Sequence, residues 1–476
     1  MEQPVVNAEL VHRLARRLGA RLVETHISWV LLTPELAFKL KKPLRLPFVD
    51  YSTPERRLHF CEEEVRLNRR LAPSLYLGVS TLTGPASEPV FDGPGPVLDH
   101  AVRMRRFPDD ALFSVRADAR TLGPDAIDRL ARLLAGFHRQ AAPVTSAARV
   151  PLRQRTLAAL DGCAALLPAP ERDALAAWIA AESTRVDPLW QARRAAGHAR
   201  EGHGDLHLAN LLELGDEVAA FDCVEFDDDL RCIDVVEDVA FTHMDLAAHG
   251  WPALAARFIN AWLEATGEYE GVPGLRLCLV YRALVRATVQ QLREPGGGLA
   301  RAYLRAARDW IRPAAPRLVI THGLPGSGKT WASQRLLERD GALRIRSDVE
   351  RKRLHGLDAL ADSQASGLAI YTPEAGRQTY ERLFSLARMA LRAGWPVVLD
   401  AAFLKRAERE QARELARSLD LPFAILDCEA PNDVLRARLR ARRGDASEAD
   451  VAVLETLGAV AEPLTREERA AVCQAP

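Results

Sequence analysis

Eight residues, GLPGSGKT at 323–330, constrain this chain more tightly than any others. Their spacing puts Gly323, Gly328, Lys329 and Thr330 at the positions of a phosphate-binding loop. The apolar run Leu318-Val319-Ile320 stands before them and WASQRLLERD follows, so a strand, a loop and a helix are predicted in that order. Glycines let backbone N–H groups close around phosphate oxygens, and the helix N-terminus adds partial positive charge. Lys329 would reach the outer phosphates and the Thr330 hydroxyl would ligate Mg²⁺. Gly323, Gly326, Ser327, Gly328, Lys329 and Thr330 are therefore the candidate nucleotide-binding residues of this segment.

The loop lies in the last third of 476 residues, a length that calls for two or three domains. With 48% hydrophobic residues there is enough to build real cores, and a formal net charge of zero gives no push toward nucleic acid. No apolar run reaches spanning length, and MEQPVVNAELVHRL lacks a signal-peptide pattern. Seven scattered cysteines without a CxxC pair suggest a reducing, cytoplasmic setting. Lysine occurs only at 39, 41, 42, 329, 352 and 405, so arginine carries most of the 64 basic charges. A surviving lysine then marks a place where a compact point charge is wanted, as at Lys329.

A break is expected at about 312–316. Gly296–Gly298 precede a helical stretch with Leu299, Tyr303, Ala307 and Trp310 at helical spacing, and Pro313 and Pro316 end it. This divides the chain into 1–312 and 316–476. The Ala/Arg/Leu-rich stretches from about 120 to 200 read as helices.

Upstream of the break, EGHGDLHLANLL at 201–212 carries His203, Asp205 and Asn210 in the order H-x-D-x-x-x-x-N, and VAAFDCVEF follows at 218–226. This is the spacing of a kinase catalytic loop and a metal-binding strand. Asp205 would accept a hydroxyl proton, while Asn210 and Asp222 would hold Mg²⁺. VLLTPELAFKLKKP predicts a strand, a turn and a strand carrying Lys39, and 61–78 predicts a helix with Glu64, Leu67 and Leu71 on one face. A Lys39–Glu64 ion pair would aim the lysine at the α- and β-phosphates. Each could instead be a solvated side chain, and it is the company of 203–222 that favours function. AVRMRRFP at 101–108 reads as a strand entering a hinge between two lobes. The acids Glu225, Asp227, Asp228 and Asp229 could recruit a cationic substrate or form a solvated turn beside Arg231; the turn is favoured.

Residues 1–310 resemble the aminoglycoside phosphotransferase family, a small-molecule branch of the protein-kinase-like fold. HGDLHLAN is similar to its catalytic loop, FDCVEF to its metal-binding strand, EDVAF with Asp238 to its structural aspartate, and RLARLLAGFHRQ with His138 to the helix before them. THISWVLL stands where a glycine-rich flap would sit. Residues 316–476 resemble P-loop kinases of the zeta-toxin and polynucleotide-kinase-like group, and the tandem resembles bacterial proteins that join the two. The resemblance implies an α+β bilobal kinase-like domain followed by an α/β domain with a parallel sheet.

In the second part, Asp348 would stand at a strand end, where hydroxyl-phosphorylating P-loop kinases keep a base, with Arg351 one turn on to hold an anionic group. Ser347 or Asp348 would also cap the following helix. Thr372 and Pro373 predict a helix start, Gly394 its stop, and 396–399 a buried parallel strand ending at Asp400, a metal-side carboxylate. Arg438 and Arg442, four apart, would share one face of a lid helix closing on the transferring phosphate. Arg436, Arg440 and Arg443 also allow a solvated or nucleic-acid-binding basic face, but no aromatics are interleaved.

The expected function is phosphoryl transfer from ATP or GTP, with Mg²⁺, to hydroxyls of small molecules at two sites. Two alternatives stay open. One domain could be a nucleotide-binding regulator, or the P-loop domain could be a nucleic-acid end kinase, which balanced charge disfavours.

Overall fold

The fold is that of a computed structural model describing residues 6–46, 49–146, 150–295, 297–312, 315–363, 365–442 and 444–473. The expectations at Gly296, Pro313 and Arg443 fall outside these residues. The chain packs as two compact units, Met1–Pro151 with Ala192–Thr242, and Leu152–Gln191 with His243–Pro476.

Among the described residues, the first unit holds a six-stranded antiparallel sheet. Its order is Arg21–Glu24, Ser28–Leu32, Leu36–Lys41, Val97–Arg105, Tyr76–Thr83 and Val90–Phe91. Side chains alternate across a strand, so Phe38 and Leu40 take one face while Lys39 and Lys41 take the other. Phe38 and Leu40 pack with Leu10, Val11 and Leu14 of the helix Ala8–Leu18, whose Asn7 cap accepts from Leu10 N–H. On the lysine side, Cys61 and Val65 of the helix Pro54–Asn68 pack against Tyr76 and Val102.

That helix differs from the expected 61–78 at both ends. Thr53 caps it and Pro54 occupies its first turn, a start signal readable in the sequence. It stops at Asn68, and Pro73 bars a continuous helix through the rest of the expected span, so Leu71 lies beyond the helical face shared by Glu64 and Leu67. In place of a glycine-rich flap, a hairpin of Arg21–Glu24 and Ser28–Leu32 turns at 25–27, closed by Ser28 N–H donating to Thr25 Oγ1 at 2.9 Å.

The second unit is built on a parallel sheet in the order Leu343–Arg346, Val397–Asp400, Leu318–His322, Phe423–Asp427. All four residues of Val397–Asp400 are buried, as expected of an inner parallel strand. The helix Pro252–Thr266 packs with this sheet: its Ala256 sits in one cluster with Val319, Leu336, Val398 and Leu426. Packing therefore does not divide where the sequence changes character near 312–316. The Ala/Arg/Leu-rich region forms Pro124–Gln140, Leu152–Gly162 and Ala169–Ala195. No helix among the described residues is long and apolar enough to cross a membrane.

Candidate active sites

The lysine strand delivers the first constellation. Lys39 Nζ donates to Glu64 Oε1 at 2.9 Å and contacts Asp222 Oδ1. The Glu64 side chain is fully buried, and its other oxygen accepts from Lys41 Nζ at 2.8 Å. Burial pushes the Glu64 carboxyl up, but the two ammonium groups outweigh it and hold it at about 2. Lys41 also contacts Glu225, whose Oε1 accepts from Tyr51 Oη at 2.5 Å. Sequence reasoning left Lys41 and Glu225 without this role, since only tertiary folding buries them together. The other acids serve the turn: Asp227 caps Asp228–Arg231, and Asp228 pairs with Arg231 at 2.5 Å.

Asp222 does not lie in a strand. The hairpin strand Glu217–Ala220 ends before it, and Asp222 takes φ 62°, where the chain turns sharply. Its N–H donates to Tyr76 Oη at 3.1 Å and the next, Cys223 N–H, to Asn68 Oδ1 at 2.9 Å.

The loop 203–210 is held by Asp238, which is fully buried in the helix Val235–Ala248. Its carboxylate accepts the N–H groups of His203 and Gly204, both at 2.8 Å, and lies 3.1 Å from His138 Nε2. Burial raises the Asp238 carboxyl, but the hydrogen bond and charge of His138 bring it down to about 2. Gly204 has φ 84°, and a Cβ there would meet Leu230 O at 2.6 Å. His203 Nδ1 accepts from Asp205 N–H at 3.2 Å, which assigns its proton to Nε2, 3.0 Å from Phe221 O. Asn210 Nδ2 donates to Asp205 Oδ2 at 3.1 Å, and Phe221 N–H to Asn210 O at 3.0 Å. The loop 203–210 and the Asp222 turn are thus stitched together by the His203 ring and by their backbone.

In the second unit the strand Leu318–His322 leads into the loop and the helix Lys329–Asp340. Gly323, Gly326 and Gly328 have φ of 137°, 83° and 96°, and a Cβ at Gly323 would come within 2.2 Å of Cys428 O. Lys329 Nζ donates to the carbonyls of Gly323 and Leu324 at 2.9 Å each. Burial lowers the Lys329 pKa, against the pull of Asp400 and Asp348. Ser327 Oγ is buried and has no hydrogen-bond partner, as suits a loop shaped for a polar guest. Asp400 Oδ2 accepts from Ser333 Oγ at 3.2 Å.

A cleft of about 1350 Å³ is lined by Lys329, Thr330 and Asp400, by Asp348 and Arg351, and by Arg438 and Arg442. Arg438 donates to Gly326 O at 3.0 Å. Two expectations need correction. Neither Ser347 nor Asp348 caps the helix Ser347–Leu354: its N-cap is Arg346, and Asp348 lies in the first turn. Arg442 does not share a helical face with Arg438, because Asn432–Ala441 ends before it and Arg442 has extended backbone. Arg346 also lines the cleft, and no motif pointed to it.

Two family models match the chain: "Phosphotransferase enzyme family" over residues 50–276 and "AAA domain" over 318–464. Uncharacterized proteins of Mycobacterium tuberculosis and Mycobacterium bovis are 30% identical to it over 456 residues, 92% of this chain and 89% of theirs. The chain belongs to one family with these mycobacterial proteins, and it carries a phosphotransferase-family domain followed by an AAA domain. Solved structures similar to this phosphotransferase include a choline/ethanolamine kinase family protein from Mesorhizobium loti, 12% identical over 63% of this chain and 93% of that one, with a TM-score of 0.35. A gluconokinase from Sinorhizobium meliloti 1021 is 22% identical over 34% of this chain and 85% of that one, with a TM-score of 0.25. By its family matches and its parallel sheet, the phosphotransferase joins a kinase-like domain to a P-loop domain.

Proposed function

We propose that this phosphotransferase carries two kinase sites, each moving the γ-phosphoryl group of ATP or GTP to a hydroxyl of a small molecule. The modules are 1–312 and 316–476, a division supported by family matches that end at 276 and begin at 318. The observation that carries the reading is Lys39, which meets Glu64 and Asp222 at once, beside a catalytic loop braced by Asp238.

At the first site Asp205 takes the proton of the substrate hydroxyl, and Asn210, tied to its carboxylate, keeps it aimed. Lys39, held by Glu64, grips the α- and β-phosphates. Asn210 Nδ2 is committed to Asp205, which leaves its Oδ1 to act with the Asp222 carboxylate. This is a hard-oxygen pair suited to Mg²⁺, as are Thr330 and Asp400. The ion, when bound, neutralises charge on the phosphate oxygens.

At the second site the loop N–H groups and Lys329 hold the nucleotide phosphates, Asp348 takes the hydroxyl proton, and Arg351 orients an anionic substrate group. Arg438 and Arg442 offset charge on the transferring group. Seven free cysteines suit a cytoplasmic location.

Nucleotide turnover against sugars, aminoglycosides, nucleosides and oligonucleotide ends tests the proposal, comparing wild type with Asp205→Ala and Lys329→Ala. Each variant is expected to lose one activity and keep the other. No effect of Asp205→Ala on any phosphorylation contradicts the first site. Turnover confined to oligonucleotide ends would make the second site a nucleic-acid kinase.

A further inference from the structure

The strand Leu343–Arg346 forms one edge of the parallel sheet, and the helix Pro252–Thr266 covers it. An exposed edge leaves backbone groups unpaired, and here side chains from the preceding module pair them. Asn260 Oδ1 accepts from Arg344 N–H at 2.6 Å, Asn260 Nδ2 donates to Ala342 O at 2.9 Å, and Tyr269 Oη donates to Arg344 O at 3.2 Å. Asn260 therefore imitates a neighbouring strand.

One turn along the same helix, Glu264 does something different. Its Oε1 accepts from Arg346 at 2.7 Å and its Oε2 accepts from Arg344 Nη2 at 3.2 Å. Both arginines go on to the P-loop site. Arg344 donates to Thr330 O at 3.3 Å. Arg346 donates to Asp445 Oδ1 at 2.7 Å, and its Nε lies 3.8 Å from Asp400 Oδ2. Arg346 lines the cleft, and it is the cation shared by Glu264, Asp400 and Asp445.

We propose that Glu264 is a positioning residue for the P-loop site: it draws Arg346 back from Asp400 and steadies Arg344 at Thr330, so that the nucleotide-binding surface is completed by a helix of the kinase-like module. The proposal rests on the P-loop cleft being a nucleotide site. Without the Glu264 charge, Arg346 closes on Asp400 and Asp445, its remaining carboxylate partners. That movement occupies the inner carboxylate that faces the P-loop.

The test is equilibrium binding of a fluorescent ATP analogue to full-length chain carrying Lys39→Ala, which leaves only the P-loop site to be read. Adding Glu264→Gln is expected to weaken binding about tenfold, the scale on which supporting partners act. Adding Asn260→Ala lowers the melting temperature and leaves affinity unchanged. Glu264→Asp, which keeps the charge and withdraws it by one methylene, gives a smaller loss of the same kind and serves if the glutamine variant does not fold. Equal affinity losses in Glu264→Gln and Asn260→Ala assign Glu264 a merely structural part and overturn the proposal. Unchanged affinity in both glutamate variants, with Lys329→Ala abolishing binding, overturns it alone. Unchanged affinity in Lys329→Ala overturns the nucleotide reading of the cleft, and this proposal with it.

Discussion

Lys41 Nζ donates to Glu64 Oε2 at 2.8 Å from the same strand face that sends Lys39 to Oε1. One buried carboxylate therefore answers two lysines, and only Lys39 of the two also reaches Asp222. Lys41 is shut away with Glu225 and Tyr51. Removing its charge leaves two buried carboxylates under-compensated. Lys41→Met is expected to destabilise the first unit by about 3–5 kcal/mol, the usual cost of breaking a buried ion pair from one side. Chemical denaturation of the full chain, followed at Trp29, checks it.

Asp238 and Glu64 predict an acid limit. Each carboxyl is held at about 2 in the folded chain, below its ordinary values of 3.8 and 4.5. A depressed carboxyl stabilises the fold above its unfolded value, and that stabilisation is lost as pH falls through the folded value. The first unit should therefore weaken steadily between about pH 4.5 and pH 2. Asp238→Asn should flatten the slope of melting temperature against pH in that window.

The same aspartate predicts a kinetic effect. Asp238→Ala frees the His203 and Gly204 N–H groups, each of which donates to it at 2.8 Å. Hydrogen bonds to charged groups contribute about 1.5–3 kcal/mol, so the Asp205-dependent kcat should fall roughly tenfold or more. Lys329-dependent turnover in the same preparation should be unaffected.

Gly323→Ala sets a Cβ 2.2 Å from the backbone oxygen of Cys428 at φ 137°, where no side-chain rotation relieves it. The loop must shift. Nucleotide binding at the P-loop should be lost while Asp205-dependent activity persists, as nucleotide binding and turnover measured on one preparation will register.

Arg438 already touches the loop, donating to Gly326 O at 3.0 Å. Arg438→Ala should lower kcat at the second site by about 10²–10³, the scale of losing one fixed charge stabiliser, with a smaller change in KM. Equal changes in both constants would assign it to ground-state binding.

The parts of both sites that were legible in the sequence are those set by local spacing. GLPGSGKT, H-x-D-x-x-x-x-N and the strand ending at Asp400 need only near neighbours to be recognised. Even the Lys39–Glu64 pair could be found, because a strand and the following helix bring them together. Burial across distance was not legible. Glu225 looked like one acid in a solvated run until Lys41 and Tyr51 closed on it. Glu264 and Arg346 are 82 positions apart, and no motif joins them. Elsewhere the local signal was present: Thr53-Pro54 marks the start of the Glu64 helix.

The central claim is that one chain grips two nucleotides, each through its own lysine. Equilibrium dialysis with labelled ATP and Mg²⁺ counts them directly. Two nucleotides should bind per chain, one in either Lys39→Ala or Lys329→Ala, and none in the double variant. A wild-type chain that saturates at one, or a Lys39→Ala chain that still binds two, contradicts the account.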